Sequence, residues 1–105
     1  MKKFLVIGLG QLGLSLSRAL YEKGAEVIAV DSNIDIIEGI KDSVTSAVNM
    51  DCTDEEALSS LNLENLDAAI IAIAEDRLAS ILATAILKDL GVENIIARKS
   101  GALLG

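Results

Sequence analysis

The sequence predicts an α/β domain with a doubly wound parallel sheet of about five strands. Short, continuous apolar runs alternate along the chain with longer segments in which apolar residues recur at helical spacing. The composition is 51% hydrophobic, yet the 105 residues include one Tyr, one Phe and no Trp, so the core must be aliphatic. Strands that are apolar throughout are typical of a parallel sheet covered by helices on both faces. A chain of this length has room for a single three-layer domain.

Two strand–helix units occupy the first half of the sequence. We predict strands at 4–7 and 27–30, a helix at 11–23, and a second helix from the cap residue Asn33 to Lys41. Gly24 stands where the first helix should end. The residues expected on the inward faces of the two helices are Leu12, Leu16, Ala19 and Leu20, and then Ile36, Ile37 and Ile40.

The second half of the sequence repeats this alternation. The polar segment 45–49 is the weakest strand candidate and is expected near an edge, whereas the run 68–74 should be the most buried strand. We predict a short helix that begins at Thr53 or Asp54, a helix at about 76–90 that ends at Gly91, and a strand at 94–98. Too few residues follow for another helix and strand, so we expect residues 1–105 to form one domain that lacks them.

Composition and charge exclude several classes of function. Cys52 is the only cysteine and there is no histidine, which excludes a disulfide framework, a Cys-based zinc site and His-dependent catalysis. Nine basic residues against sixteen acidic ones give a net charge of −7, which argues against nucleic acid as the main partner. No signal peptide is visible, and charged residues at 75–77 interrupt the most apolar region, so we expect a soluble, cytoplasmic domain.

The segment between the first predicted strand and helix carries the strongest functional signal. Its sequence, Gly8-Leu9-Gly10-Gln11-Leu12-Gly13, fits the pattern G-x-G-x-x-G of Rossmann-like dinucleotide-binding domains. The first glycine permits a tight turn, the second lets the backbone approach a pyrophosphate, and the third lets the helix pack near the strand. Amides at the helix N-terminus would then face the phosphates. The alternative is a tight turn without a ligand.

Asp31 is the second candidate, at the end of the second predicted strand. It lies 18 positions after Gly13, close to the spacing of an acid that accepts hydrogen bonds from the adenosine ribose. Ser32 and Asn33 follow it, with no Arg or Lys that would favour a 2′-phosphate, so NADP is disfavoured. The alternative role for Asp31 is that of a helix cap, although Asn33 could serve there instead.

Three further strand ends supply candidate site residues. Asp51, Cys52 and Thr53 follow the third strand, where they could surround an adenine or simply cap a helix. The fourth strand ends at the crevice where the strand order reverses, and its candidates are Ala72, Ile73, Ala74 and Glu75. Glu75 and Asp76 could cap the helix that follows and contact the second half of the ligand. Arg98 ends the fifth strand, where it could reach a phosphate or be a solvated arginine.

The predicted helix after the fourth strand is apolar nearly all round. A helix that packs one face on a sheet needs only an apolar stripe, so residues 78–87 carry more apolar surface than the sheet can bury. We interpret the surplus as a subunit interface. The alternative is burial under a part of the protein that this sequence lacks.

These motifs together resemble one family. The segments that carry the resemblance are Val6-Ile7-Gly8-Leu9-Gly10-Gln11-Leu12-Gly13, Val30-Asp31, Asp51-Cys52-Thr53-Asp54-Glu55-Glu56-Ala57-Leu58 and Ile71-Ala72-Ile73-Ala74. In this order they are similar to the nucleotide-binding domain of Trk/Ktr-type potassium-uptake regulators, the RCK N-terminal or TrkA-N-like domain. The resemblance runs from Met1 to about Lys99.

The resemblance implies a non-catalytic sensor that gates potassium transport. Such domains form dimers and octameric rings on the cytoplasmic face of a membrane potassium channel or transporter, and they bind NAD(H), ATP, ADP or AMP. By motif position, residues 8–12 would hold phosphates, Asp31 the ribose, 51–53 the adenine surroundings, 72–75 the crevice and Arg98 a phosphate. ATP-responsive members carry Arg where this chain has Gln11, so a charge for a terminal phosphate is missing here.

Two other functions are compatible with the same fold. The chain could be the coenzyme-binding domain of an NAD-dependent oxidoreductase, although no acid–base residue is predicted beside a nicotinamide and Tyr21 falls within the first helix. It could also be a structural oligomerisation domain that binds no nucleotide. Nucleotide titration, and NADH turnover with carbonyl substrates, would separate the three.

Overall fold

The computed structural model describes residues 1–73 and 76–97. Its centre is a parallel sheet of five strands in the order β3-β2-β1-β4-β5. The strands are β1 (Lys3–Ile7), β2 (Glu26–Asp31), β3 (Ser46–Asn49), β4 (Ala68–Ile71) and β5 (Ile95–Ala97). The chain builds outward from β1 in one direction and then crosses to its other side with β4. The carboxyl ends of β1 and β4 therefore flank the point where the strand order reverses.

Helices cover both faces of the sheet, as the sequence predicted. They are α1 (Gln11–Glu22), α2 (Ile34–Ile40), α3 (Glu55–Ser59) and α4 (Arg77–Asp89), with a short 3-10 helix at Lys41–Ser43. Alternate residues of β1 point to opposite faces: Leu5 and Ile7 join the core under α3 and α4, whereas Val6 joins the core under α1 and α2. The predicted three-layer, Rossmann-like fold is confirmed.

The helix ends follow the expected signals. The side chain of Asn33 accepts hydrogen bonds at the start of α2, and Asp54, rather than Thr53, caps α3. Gly24 and Gly91 follow α1 and α4 with φ of +94° and +91°, conformations that glycine adopts without steric cost. Strand β4 is shorter than predicted because it ends at Ile71. Ala72 and Ile73 follow the strand, and Ala74 lies outside the described residues.

The prediction for the inward face of α1 was wrong in part. The buried residues of α1 are Gly13 and Ser17, while Leu12 is 47% exposed and Ala19 is also exposed. Two small residues, four positions apart, let the helix axis approach the sheet closely, which rotates the inward face by one position relative to the apolar pattern. Leu12 is thereby turned away from the core and toward the cleft described below.

In the described part of the chain, no helix combines the length and hydropathy that crossing a bilayer would require. The strand β3 lies at an edge of the sheet and is only partly buried, as its polar sequence predicted.

Candidate functional site

A cleft of about 510 Å³ lies at the carboxyl ends of the central strands. Its volume is within the range of small-molecule sites, about 300–1,000 Å³. The β1–α1 loop forms one wall, the ends of β2 and β3 form a second, and the β4–α4 connection forms a third. The lining residues are Ile7, Gly8, Leu9, Gly10, Leu12, Val30, Asp31, Ser32, Met50, Asp51, Cys52, Ala72, Ile73, Asp76 and Ala79.

The three glycines of the loop differ in what an added β-carbon would contact. Gly8 has φ of +94°, and a β-carbon there would lie 3.0 Å from the backbone nitrogen of Ile73. A β-carbon at Gly13 would overlap the carbonyl oxygen of Gly8. At Gly10, by contrast, a β-carbon would meet no atom within 4 Å, because this residue lines the open cleft. The first and third glycines are therefore required by the fold, whereas the second leaves space in the cleft.

The N-terminus of α1 is open where those of the other described helices are capped. Gly10 at its N-cap has no side chain to accept hydrogen bonds, and the first turn contains no acidic residue. The corresponding caps of α2, α3 and α4 are the side chains of Asn33, Asp54 and Asp76. The first-turn amides of α1 are thus left for another acceptor, and the helix dipole favours one that is negatively charged.

Asp31 connects the end of β2 to the glycine-rich loop. Its Oδ2 accepts a hydrogen bond from the backbone amide of Leu9 at 2.7 Å, and its Oδ1 accepts one from the amide of Asn33 at 2.8 Å. The cap of α2 is Asn33, so the carboxylate of Asp31 is not the helix cap. Each carboxylate oxygen has a further lone pair with which it can accept another hydrogen bond.

The residues after β3 form a short polar turn. Asp51 Oδ1 accepts hydrogen bonds from the backbone amide of Thr53 at 2.9 Å and from its hydroxyl at 2.7 Å. These two bonds, the backbone one first, lower the pKa of Asp51 below its ordinary 3.8. Burial, with the negative charge of Asp51 as a second cause, raises the pKa of the Cys52 thiol above 9.0. At neutral pH Cys52 is therefore an uncharged thiol in the cleft wall.

Ten of the predicted site residues line the cleft: Gly8, Leu9, Gly10, Leu12, Asp31, Ser32, Asp51, Cys52, Ala72 and Ile73. Four others lie outside the lining: Gln11, Gly13, Asn33 and Thr53. Gly13 packs under Gly8, Asn33 caps α2, and Thr53 orients Asp51. Ala74, Glu75 and Arg98 lie outside the described residues.

Asp76, which the sequence predicted as a helix cap and a ligand contact, also lines the cleft. Sequence reasoning missed four lining residues: Ile7, Val30, Met50 and Ala79. The first three lie at strand ends or directly beside them. Because they are next to predicted site residues in the sequence, they could have been predicted as well. Asp76 and Ala79 lie at the start of α4, and the Asp76 side chain accepts a hydrogen bond from the Ala79 amide at 2.9 Å. Their presence shows that the cleft extends past β4 to the N-terminus of α4.

The charged side chains in the described lining are all acidic: Asp31, Asp51 and Asp76. No group of three or more potential metal-ligating side chains occurs within residues 1–73 and 76–97. Among the described residues, an anionic ligand in this cleft would therefore be bound by backbone amides, chiefly those at the open N-terminus of α1.

Comparison with known proteins identifies the family. The profile of the TrkA-N domain matches residues 4–102, nearly the whole chain. The chain belongs to the TrkA-N domain family. The resemblance predicted from the glycine-rich loop and the strand-end residues is confirmed.

Two curated proteins illustrate the similarity of this TrkA-N domain to its relatives. It is 46% identical over 97 residues to Ktr system potassium uptake protein C of Bacillus subtilis, covering 92% of this chain and 44% of that protein. It is 43% identical over 94 residues to Ktr system potassium uptake protein A of Vibrio alginolyticus, covering 90% of this chain and 43% of that protein. The chain thus spans less than half the length of either relative.

A solved structure supports the same fold for the TrkA-N domain. The NAD(P)-binding domain of an exopolyphosphatase-related protein from Archaeoglobus fulgidus superposes with a TM-score of 0.84 at 31% identity. The alignment covers 96% of this chain and 75% of that one. The TrkA-N domain described here therefore shares the Rossmann-like fold of that domain.

Proposed function

We propose that this TrkA-N domain binds NAD(H) or an adenine nucleotide (ATP, ADP or AMP) and regulates potassium uptake through the bound ligand. The observation that carries the proposal is the open N-terminus of α1, which borders a cleft that the Asp31 carboxylate also lines. An anion-binding helix end beside a strand-end acid is the arrangement that accommodates the phosphate and ribose of a nucleotide.

The phosphates would lie against the β1–α1 loop. The absence of a β-carbon at Gly10 leaves the backbone accessible, and the amides of Gln11 and Leu12 belong to the uncapped first turn. Gln11 brings no positive charge, which favours ligands that carry little phosphate charge beyond the pyrophosphate. Arg98, predicted from the sequence to approach a phosphate, stays part of the proposal.

The ribose would bind at Asp31. The free lone pairs of its carboxylate can accept hydrogen bonds from the 2′- and 3′-hydroxyls. A 2′-phosphate would instead face a carboxylate, with Ser32 and Asn33 as neighbours and no cationic side chain at either position. Like charges in contact are unfavourable, so we propose NAD(H) rather than NADP(H).

The adenine would lie against the residues that follow β3. Met50 and Cys52 offer apolar contact, and Asp51 offers a carboxylate that Thr53 holds in place. The second half of a dinucleotide would occupy the crevice after β4, lined by Ala72 and Ile73. Ala74 and Glu75, predicted from the sequence to line the same crevice, stay part of the proposal.

The regulatory role follows from the Ktr relatives, which are named potassium uptake proteins. We propose that the protein acts at the cytoplasmic side of the membrane through a potassium channel or transporter subunit, without enzymatic activity. A ligand can shift such a partner only if it binds two geometries of the regulator with different affinities. The nucleotide would therefore act by selecting one arrangement of an oligomer.

The outer face of α4 is the proposed surface of self-association into a dimer or an octameric ring. Leu78, Ile81 and Leu82 are 65%, 61% and 42% exposed. Large apolar side chains grouped on one helix face are costly in water, which favours their burial against another subunit. The cleft reaches the start of the same helix through Asp76 and Ala79, so ligand and assembly surface share one element.

Calorimetric titration of the protein with NAD⁺, NADH, NADP⁺, ATP, ADP and AMP tests the proposal, with GDP as a control for the base. The oligomeric mass is measured with and without each ligand. We expect adenine nucleotides to bind and NADP⁺ to bind more weakly than NAD⁺. The oligomeric mass should differ between the bound and the free protein.

Other outcomes would contradict the proposal in different ways. Absence of binding by all six adenine ligands would leave a structural oligomerisation domain. Tight NAD(H) binding without a change in assembly, together with NADH consumption in the presence of carbonyl substrates, would favour the oxidoreductase alternative.

A further inference from the structure

We propose that Asp31 is also a positioning residue for the phosphate half of the site, because its carboxylate holds the glycine-rich loop in place. The inference rests on the proposed nucleotide site and adds a second role to a residue whose first role concerns the ribose. Its basis is the 2.7 Å hydrogen bond from the Leu9 amide to Asp31 Oδ2.

The bond is one of two that attach the loop to β2. The amide of Gly8 donates to the carbonyl oxygen of Val30 at 2.9 Å, which continues the pairing of the sheet. The next amide, that of Leu9, donates to a side chain instead of a backbone carbonyl. The carboxylate of Asp31 thus extends the attachment by one residue toward Gly10 and the N-terminus of α1.

The geometry of the carboxylate is fixed from both sides. The Asn33 amide donates to Oδ1 at 2.8 Å while the Leu9 amide donates to Oδ2. The Leu9 side chain is fully buried, so its backbone has little freedom to follow a displaced partner. Hydrogen bonds to a charged acceptor are stronger than neutral ones, and an unpaired amide at this depth is costly.

The backbone of the same residue is bonded to the end of β3, in the second wall of the cleft. The carbonyl oxygen of Asp31 accepts hydrogen bonds from the side-chain amide of Asn49 at 3.0 Å and from the amide of Met50 at 3.1 Å. Asp31 therefore contacts the loop proposed for phosphate, carries the carboxylate proposed for ribose, and holds the strand end proposed for adenine. Loss of its side chain removes the loop contact and the carboxylate and leaves the backbone link to Met50.

A pair of ligands separates the positioning role from ribose recognition. ADP has both ribose hydroxyls, whereas 2′,3′-dideoxy-ADP has neither and cannot hydrogen-bond to Asp31 through them. If the carboxylate served only the ribose, Asp31→Ala would weaken ADP and leave the dideoxy ligand unchanged. If it also holds the loop, the dideoxy ligand should bind to Asp31→Ala at least about fivefold more weakly than to the wild type, and the affinity for ADP should fall by a larger factor.

The variants control for charge and folding. Asp31→Asn removes the charge but keeps one acceptor oxygen, so it can accept a hydrogen bond from one of the two amides. Its affinity for the dideoxy ligand should therefore lie between those of the wild type and Asp31→Ala. Asp35→Asn removes an exposed carboxylate at the start of α2 and should bind both ligands like the wild type. Thermal unfolding of each variant verifies that it is folded at the titration temperature.

Amide hydrogen exchange at Leu9, followed by NMR without ligand, tests the attachment directly. We expect the Leu9 amide to exchange at least about tenfold faster in Asp31→Ala than in the wild type, while amides of β1 are unchanged. Unchanged Leu9 exchange, or unchanged or tighter binding of the dideoxy ligand, overturns the inference. Failure of the wild type to bind any adenine nucleotide would overturn the proposed function instead, and Leu9 exchange would still decide the loop attachment.

Discussion

The α-carbon of Gly13 packs directly against the carbonyl oxygen of Gly8, and a β-carbon at position 13 would overlap that oxygen. The contact joins the first turn of α1 to the residue that begins the tight turn after β1. It places the helix N-terminus over the carboxyl end of the central strand, which is where the open amides border the cleft. The position of this open helix N-terminus at the cleft therefore depends on the packing of Gly13 against Gly8.

Gly13→Ala should destabilise the protein, because either the helix or the loop must move to admit the methyl group. We expect a loss of about 1–3 kcal/mol in the free energy of unfolding, measured by urea denaturation. Gly39→Ala is the matched control, since a β-carbon there meets no atom within 4 Å in α2. Helix propensity should make that variant as stable as the wild type or up to about 1 kcal/mol more stable. Equal effects of the two substitutions would contradict this account.

Gly10→Ala should separate binding from stability. The residue has φ of −68°, which alanine adopts readily, and space for a β-carbon is open. We expect a free energy of unfolding within about 0.5 kcal/mol of the wild type. Nucleotide affinity should fall about tenfold or more, since the methyl group occupies the proposed approach of the pyrophosphate to the backbone. Retention of full affinity would place the phosphates elsewhere.

The fold was predictable because the strands and helices have different apolar periods. Continuous apolar runs indicated the buried strands, and Asn33, Gly24 and Gly91 marked helix ends that the structure confirms. The failure concerned the face of α1. An apolar pattern locates large side chains, but the closest approach of a helix to a sheet is made by its smallest residues, here Gly13 and Ser17.

The candidate site was predictable where a residue follows a strand, and less so elsewhere. The topology of a parallel sheet brings strand ends together, which placed Asp31, Asp51 and Ala72 at one cleft. The hydrogen bond between Asp31 and Leu9 has no sequence signal, because it joins residues 22 positions apart through a backbone amide. Thr53 was predicted either to surround the adenine or to cap a helix, and nothing in the sequence indicated that its hydroxyl donates to Asp51 within the turn.

The bond between Thr53 and Asp51 predicts a pH effect. Because the folded pKa of Asp51 is lowered, its contribution to stability is present above pH 3.8 and is lost as the pH falls through the folded value. Thr53→Val removes the hydroxyl bond and keeps the backbone one, which is the larger cause. We expect the pKa of Asp51, followed by the NMR shift of its carboxyl carbon, to rise but to stay below 3.8.

Thr84→Val is the control for that titration. The Thr84 hydroxyl donates to the carbonyl oxygen of Ser80 within α4, so its removal should leave the pKa of Asp51 unchanged. An Asp51 titration that is identical in Thr53→Val and the wild type would show that the hydroxyl has no part in the lowered pKa.

Cys52 offers a chemical probe of ligand binding. The protein has no other cysteine, and the raised thiol pKa means that iodoacetamide should react slowly at neutral pH. A saturating adenine nucleotide should slow the reaction by at least about fivefold further, because the ligand would cover the cleft wall. In Cys52→Ser, a cysteine introduced at the exposed position Ser59 should react at one rate with and without nucleotide. Equal protection at both positions would indicate a general effect on folding rather than occupation of the cleft.

The outer face of α4 predicts which substitution should dissociate the proposed oligomer. Ile81 is 61% exposed beside Leu78 and Leu82, whereas Ile34 at the start of α2 is 51% exposed without such a group around it on its helix. Ile81→Gln should lower the oligomeric mass measured by light scattering, since burying an unpaired amide in an apolar interface costs about 1–3 kcal/mol. Ile34→Gln changes the same side chain at similar exposure and should leave the mass unchanged. A lower mass for Ile34→Gln alone would move the assembly surface from α4 to α2.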